Sequence, residues 1–338
     1  MTQMLQTDVA IIGAGPVGLF TVFECGMLGL SCHVFDSLDQ IGGQCTALYP
    51  EKPIYDIPAY PKIEAHQLIA ELEAQAAPFA PIYHLGQQIT GLNFVSGNWK
   101  LTSSTGLTLT AKAVVIAGGS GSFGPQRPPL DGLAAYEGQS VFYSVRRKSD
   151  FAGKRVVIAG GGDSAVDWAI SLSDIAETIY LVHRRDKFRA APASIHHLEQ
   201  LVTDKKVQLV VPYQLHRIEG QNGQLTAVQV TNLDGQTQTL SADCLLAFFG
   251  LSSNLGPILE WGLALDHHQI TIEQGTGATN LSGIYACGDI ASYPHKLKLI
   301  LTGFAEAAQV AHAIYRQIHP TTALHMEYST TRGVPHGS

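Results

Sequence analysis

Gly13, Gly15 and Gly18 stand directly after the apolar run Val9-Ala10-Ile11-Ile12 and open a stretch of helical patterning to about Leu28. A strand that ends in GxGxxG and leads into a helix is the setting in which a dinucleotide pyrophosphate is held. The first glycine makes the tight turn, the second lets phosphate approach the backbone, and the third lets helix and strand pack closely. The next strand-like run, residues 31–35, ends in Asp36. Such units place an acid about 20 residues on, where it accepts hydrogen bonds from a ribose diol. The plain alternative is a glycine-rich turn without a ligand; strand, helix and acid together weigh against it.

A second unit repeats the pattern. Val156-Val157-Ile158-Ala159 leads into Gly160, Gly162 and Ala165, with Asp163 and Ser164 opening a helix-like segment to about Leu172. Its second strand, residues 178–182, ends in His183, and Arg184, Arg185 and Arg189 follow. A basic cluster thus stands where the first unit has its acid. A ribose 2′-hydroxyl is matched by a carboxylate, whereas a 2′-phosphate is matched by guanidinium groups, which can bind it bidentately. A solvated charge run is the bland reading, and the position at a strand end favours the phosphate. The pair of sites suggests FAD in the first unit, reduced by NADP(H) held in the second. A third string, Gly119-Ser120-Gly121-Ser122-Phe123-Gly124, also follows a strand. Pro125, Pro128 and Pro129 come next, so no helix can start there to offer free N–H groups to a pyrophosphate. It is not read as a fingerprint. Gly42-Gly43-Gln44 and Gly288-Asp289 are turns in which an Asp at a strand end could hold a ribitol hydroxyl. The helix expected near residues 302–317 could stabilise negative charge on a reduced flavin ring.

These motifs need two βαβ scaffolds, and the chain is long enough for them. Its 338 residues favour two domains, and its 45% hydrophobic content excludes disorder. The expected fold class is α/β: two Rossmann-like dinucleotide-binding domains, each a three-layer ββα unit, with the NADPH domain inserted into the FAD domain. Strand-like runs at residues 88–95, 98–101 and 107–116 supply an antiparallel excursion in the first domain; others at 208–211, 226–230 and 244–247 belong to the second. The boundaries are placed at 1–117 with 248–338 for FAD and 118–247 for NADP(H). The net charge of −7 argues against a nucleic-acid binder. The hydrophobic stretch at residues 9–23 is too short, and too rich in Gly and Pro, to span a membrane. Five scattered cysteines without a CxxC fit a reducing compartment, so a cytoplasmic protein is expected. No metal site is expected: His196-His197 and His267-His268 are adjacent pairs without ligand spacing.

The chain resembles the ferredoxin–NADP+ reductases of the thioredoxin-reductase-like type, nearly end to end. The resemblance rests on the first glycine motif, Gly42-Gly43-Gln44, Ala47-Leu48-Tyr49-Pro50-Glu51-Lys52, the second glycine motif through Trp168, the run from His183 to Ala190, and Gly288-Asp289. It implies that Tyr49 stacks on one face of the isoalloxazine and that Asp36 binds the adenosine ribose. Gln44 and Asp289 would serve the flavin and ribitol, Ile89 the adenine through its backbone, and Phe123 the flavin site at the domain crossing. Tyr328 would cover the other flavin face, with Ser329 and Thr330 beside the ring. The tail can come from the partner subunit of a homodimer. The implied carrier is ferredoxin or flavodoxin, docked on a local positive patch with Arg146, Arg147, Lys148, Lys296 and Lys298 as candidates. Hydride transfer between separate domains is expected to need a domain rotation. Unlike thioredoxin reductases, the chain carries Tyr143-Ser144-Val145-Arg146 where their redox CxxC lies, so a dithiol relay is excluded. Two other readings stay open from the residues alone: an NADPH oxidase or diaphorase acting on oxygen or quinones, and a non-catalytic NADPH-sensing flavoprotein.

Overall fold

The computed structural model describes residues 5–322 and Gly333; the side chains of residues 123 and 251–253 are outside that description. The chain divides into two units, one of Met1–Phe123 with Ser253–Ser338 and one of Gly124–Ser252.

The main elements of the first unit, up to the crossing, are β1 (Leu5–Ile12), α1 (Pro16–Met27), β2 (Cys32–Phe35), α2 (Ala65–Ala76), β3 (Ile82–His84), β4 (Ile89–Val95), β5 (Asn98–Ser103) and β6 (Thr108–Ile116). The second unit carries β7 (Val141–Phe142), β8 (Arg155–Ala159), α3 (Asp163–Leu172), β9 (Thr178–Val182), α4 (Pro192–Thr203), β10 (Val207–Val210), β11 (Gln214–Gln221), β12 (Gln224–Thr231), β13 (Thr237–Ser241) and β14 (Cys244–Ala247). The chain then returns to the first unit with β15 (Ile284–Ala286) and α5 (Ile300–Ile318).

β1 is central and parallel to both neighbours, β2 and β6, and a strand so placed must be apolar on both faces. Val9, Ala10 and Ile11 are accordingly fully buried. Alternation sorts them into two cores. Val9 and Ile11 join Val17 and Val22 of α1 and Val310 and Ile314 of α5. Ala10 joins Trp99 and Leu101 of β5 and Leu109 of β6 on the opposite face. Helices, parallel sheet and antiparallel meander therefore form three layers. β6 is the strand that links them: its first half pairs antiparallel with β5 and its second half parallel with β15.

The second unit repeats the scheme with a parallel sheet in the order β7-β14-β8-β9-β10. One face packs on the antiparallel sheet β11-β12-β13 through Val157, Leu245, Val228 and Leu240. α3 and α4 accompany the strands β9 and β10 on the helical side. α5 begins at Ile300, two residues before the start expected from sequence. Among the described residues no helix is long and apolar enough to cross a membrane.

Candidate functional site

Each parallel sheet ends at its carboxyl edge in a glycine turn and a helix N-terminus, and the two turns share one unusual feature. In the first, Gly13 takes φ +114°, and a Cβ there would lie 2.4 Å from the Ala117 carbonyl oxygen. Gly18 is pressed so closely on Gly13 that a Cβ would meet its carbonyl oxygen at 1.9 Å. Both glycines are required by packing. Gly15 is not: its φ is −72°, open to any residue, and a Cβ there would meet nothing within 4 Å. It caps α1 with no side-chain bond, Pro16 follows, and the first turn has no acid. The open place above it, edged by unpaired helix N–H groups, suits an anion.

In the second turn Gly160 is forced by the Phe248 carbonyl oxygen, 2.6 Å from a built Cβ. Gly162 again has ordinary geometry, φ −101°, with open space above it, and caps α3 without a side-chain bond. Glycine is a common N-cap, but two N-caps with this open space above them, in the same place of two like turns, fit phosphate approach.

The first cleft holds about 1160 Å³ of empty space, its open mouth included. Gly13, Gly15, Asp36, Gln44, Tyr49, Ile89 and Asp289 all line it. Gly18 does not; it works from behind, in the α1 packing. Asp36 directly follows β2 and accepts Ala14 N–H at 2.7 Å and Leu38 N–H at 2.9 Å, one on each oxygen. Each oxygen keeps accepting capacity toward the cleft. Burial raises the Asp36 carboxyl above the usual carboxylate range, and these N–H bonds oppose the rise. Gln44 donates to Ser120 Oγ at 2.8 Å, so the rejected glycine string reaches the cleft after all, as a wall. It runs on as an extended strand, Ser122–Pro125, and not as a helix. Phe123 lies in that strand, and its side chain is outside the described residues. So are Tyr328, Ser329 and Thr330. Gln87, Gln88, Leu255, Ile258 and Trp261 also line the cleft, and sequence reading did not point to them. The indole N–H of Trp261 is buried with no acceptor among the described residues.

Tyr49 stands half-buried at the cleft wall with Cys45 Sγ 3.9 Å from its hydroxyl. Burial pushes the Cys45 thiol up to about 11 and the Tyr49 phenol well above its usual value. Cys45 is therefore a neutral packing thiol at physiological pH and no nucleophile. Cys25 and Cys32 are buried against each other in the helix-side core, away from the cleft lining. Cys45→Ala is expected to leave steady-state turnover within about twofold of wild type, as for a substitution without a chemical role; a loss beyond tenfold would mean that the thiol takes part.

The second cleft is lined by Gly160, Gly161, Gly162, His183, Arg184, Arg185 and Arg189. Arg189 is held over the glycine turn by its own N–H, which donates to the Gly161 carbonyl at 2.7 Å. Asp163 and Ser164 open α3 but do not line the cleft. The Asp163 carboxylate accepts Ala191 N–H at 3.0 Å, which ties the basic loop to the helix and occupies a charge that would oppose phosphate. Burial, with Arg184, Arg185 and Arg189 around it, lowers the His183 ring below its usual range. It is neutral at pH 7, and the positive charge comes from the three arginines.

Lys296, expected on an exposed docking patch, is not there. Its side chain is 6% exposed and paired with Glu306, since α5 folds back beneath the loop that carries it. Lys298 and Arg146 are exposed, and Arg147 pairs with Asp150. Among the described residues no His, Cys, Asp or Glu group is arranged to hold a metal.

The family model for pyridine nucleotide-disulphide oxidoreductases matches residues 7–314. The chain is 59% identical over 333 residues to a ferredoxin–NADP reductase of Paramagnetospirillum magneticum, covering 98% of this chain and 99% of that protein. It is 58% identical to one of Rhodospirillum rubrum, covering 98% and 97%. Among solved structures, the thioredoxin reductase of T. acidophilum superposes with a TM-score of 0.79 at 22% identity, over 93% of this chain and 99% of that one. That likeness speaks for the fold. The chain belongs to the pyridine nucleotide-disulphide oxidoreductase family and, within it, to the ferredoxin–NADP reductases that it matches over almost its whole length.

Proposed function

We propose that the chain is an FAD-dependent ferredoxin–NADP+ reductase, with FAD in the first cleft and NADP(H) in the second. The observation that carries this is the pair of glycine N-caps, Gly15 and Gly162, with space above them that the fold itself does not need. When bound, the flavin supplies the exchange between a two-electron hydride and single electrons, chemistry that no side chain offers.

The chain's residues bind and orient. The free N–H groups of α1 take the pyrophosphate, and Asp36 takes the adenosine ribose. Ile89 meets the adenine through its backbone, and Tyr49 supplies a flat, apolar face for the ring system. Gln44 and Asp289 provide polar contacts to the flavin and ribitol. Arg184, Arg185 and Arg189 clamp the 2′-phosphate of NADP(H), and the neutral His183 packs beside them. Phe123 and the tail residues Tyr328, Ser329 and Thr330 complete the flavin enclosure, the tail coming from the same chain or from the partner subunit of a homodimer. No side-chain acid or base is required, and none is assigned as catalytic.

Ferredoxin, or a flavodoxin in its place, is the electron carrier. Ferredoxins are acidic, so docking uses local positive charge, with Arg146 and Lys298 as candidates, despite the net −7. Purified protein given NADPH is expected to reduce ferredoxin much faster than oxygen, at a rate that falls as salt rises. Turnover with oxygen alone would support an oxidase instead, and flavin reduction without turnover a sensor.

A further inference from the structure

The loop between β15 and α5 is held at its middle by pairing of Ala291 and Ser292 with Ile270 and Thr271 and by Gln269 Nε2, which donates to the Asp289 carbonyl at 2.7 Å, and a buried carboxylate ties three further points of it. Glu306 of α5 is 4% exposed. Its Oε2 accepts the Gly288 N–H at 2.7 Å, and its Oε1 accepts Tyr293 Oη at 2.7 Å and Lys296 Nζ at 2.5 Å. The Lys296 ammonium also lies 5.0 Å from the centroid of the Tyr293 ring. Three points spread along one loop therefore converge on a single buried side chain. A buried ion pair is a poor device for stability alone, because apolar residues of similar volume do as well or better. A fully satisfied buried polar network can instead hold one arrangement of the groups around it.

The group held is the Gly288–Asp289 turn. Gly288 takes φ +75° and touches α1, where a Cβ would meet Val17 at 3.3 Å. Asp289 is exposed and lines the first cleft together with Ile300, the first residue of α5. Glu306 lies outside that lining and reaches it only through the Gly288 N–H and the loop.

We propose that Glu306, with Lys296, is a positioning residue of the flavin site: it fixes the Gly288 N–H so that the Asp289 carboxylate and the amino end of α5 keep their places in the cleft. The proposal rests on the assignment of flavin to that cleft. Lys296 neutralises the carboxylate, which keeps a lone negative charge away from a ring that must accept electrons.

The test is a double-mutant cycle on the full chain, read as the FAD dissociation constant of the reconstituted apoprotein, with the Tm of each apo variant as fold control. The apolar pair Glu306→Leu/Lys296→Met is expected to weaken FAD roughly tenfold, within the range of coupled neighbours. Glu306→Gln/Lys296→Met, which restores an acceptor for Gly288 without charge, should recover most of that loss. In an Asp289→Ala background the apolar pair should cost less than about twofold, because the contact it positions is already gone. Losses that add across the cycle, or an FAD affinity unchanged by the apolar pair, overturn the proposal. If the apolar pair does not fold, the same cycle is run with Glu306→Gln/Lys296→Met, expected at a few-fold and again lost without Asp289. Wild-type protein that takes up no FAD overturns the flavin assignment itself, and this proposal with it, so the two failures are told apart.

Discussion

Valine at position 15 is expected to give a folded protein that no longer keeps flavin. Gly15 has the backbone of an ordinary N-cap, and nothing within 4 Å opposes a side chain there. The apo fold should change by no more than about 1 kcal/mol, since the loss of a favoured N-cap glycine is offset by a stiffer unfolded chain. The branched side chain would fill the place where a pyrophosphate meets the helix N–H groups. Overpacking of that kind costs about 1–3 kcal/mol or more, so FAD should bind roughly 10- to 100-fold more weakly and be lost on purification. Gly18→Val is the contrasting variant. Its side chain would collide with the Gly13 carbonyl, built at 1.9 Å, and it should fail to fold. Flavin content and circular dichroism of the two variants separate the cases. Full flavin in Gly15→Val would mean that the cleft is not used as described.

The second large effect concerns the coenzyme. Each charge-assisted hydrogen bond to a phosphate is worth about 1.5–3 kcal/mol, and Arg184, Arg185 and Arg189 face one cleft. Arg184→Ala/Arg185→Ala is therefore expected to lower kcat/KM for NADPH at least about 100-fold, mainly through KM, and to leave NADH within about threefold. Both arginines are exposed, so stability should hardly move. His183 stays neutral at pH 7 in this arrangement, and His183→Gln should shift the NADPH KM far less than either arginine. Equal losses for NADPH and NADH would contradict the 2′-phosphate assignment.

The parts of these sites that are set locally could be read from the amino-acid string. A GxGxxG turn carries its own reasons, in a tight φ, a close packing contact and an open N-cap, and the acid or arginine at the next strand end has a fixed register. The second glycine of each motif is the most informative, because neither packing nor a positive φ requires it and a close phosphate does. Longer-range partners were not legible. Gln87, Gln88, Leu255 and Trp261 reach the cleft through pairing of β4 and the return of the chain after the second unit, and no spacing marks them. Lys296 reads as a surface cation because its charge is visible in sequence while Glu306, the partner that buries it, is placed by the tertiary path of α5. The glycine string at residues 119–124 is instructive in another way. Its prolines do prevent a helix, but an extended glycine loop can still wall a cleft, as Gly119, Gly121 and Ser122 do, with Ser120 accepting from Gln44 behind them. α2 had a local signal in the capping box of Glu64 and Gln67, which the Pro-rich segment before it obscures. The edge strands β11 and β13 are largely polar and lack the apolar alternation that marks a half-buried strand.

An anaerobic titration of the purified protein with NADPH, followed by its visible absorption, tests the whole most directly. The account predicts a yellow protein with close to one FAD per chain, whose bands bleach at about one NADPH per flavin, respond far more weakly to NADH, and return when oxidised ferredoxin is added. A colourless protein that cannot be reconstituted with FAD, or a yellow one that NADPH leaves unchanged, would contradict it.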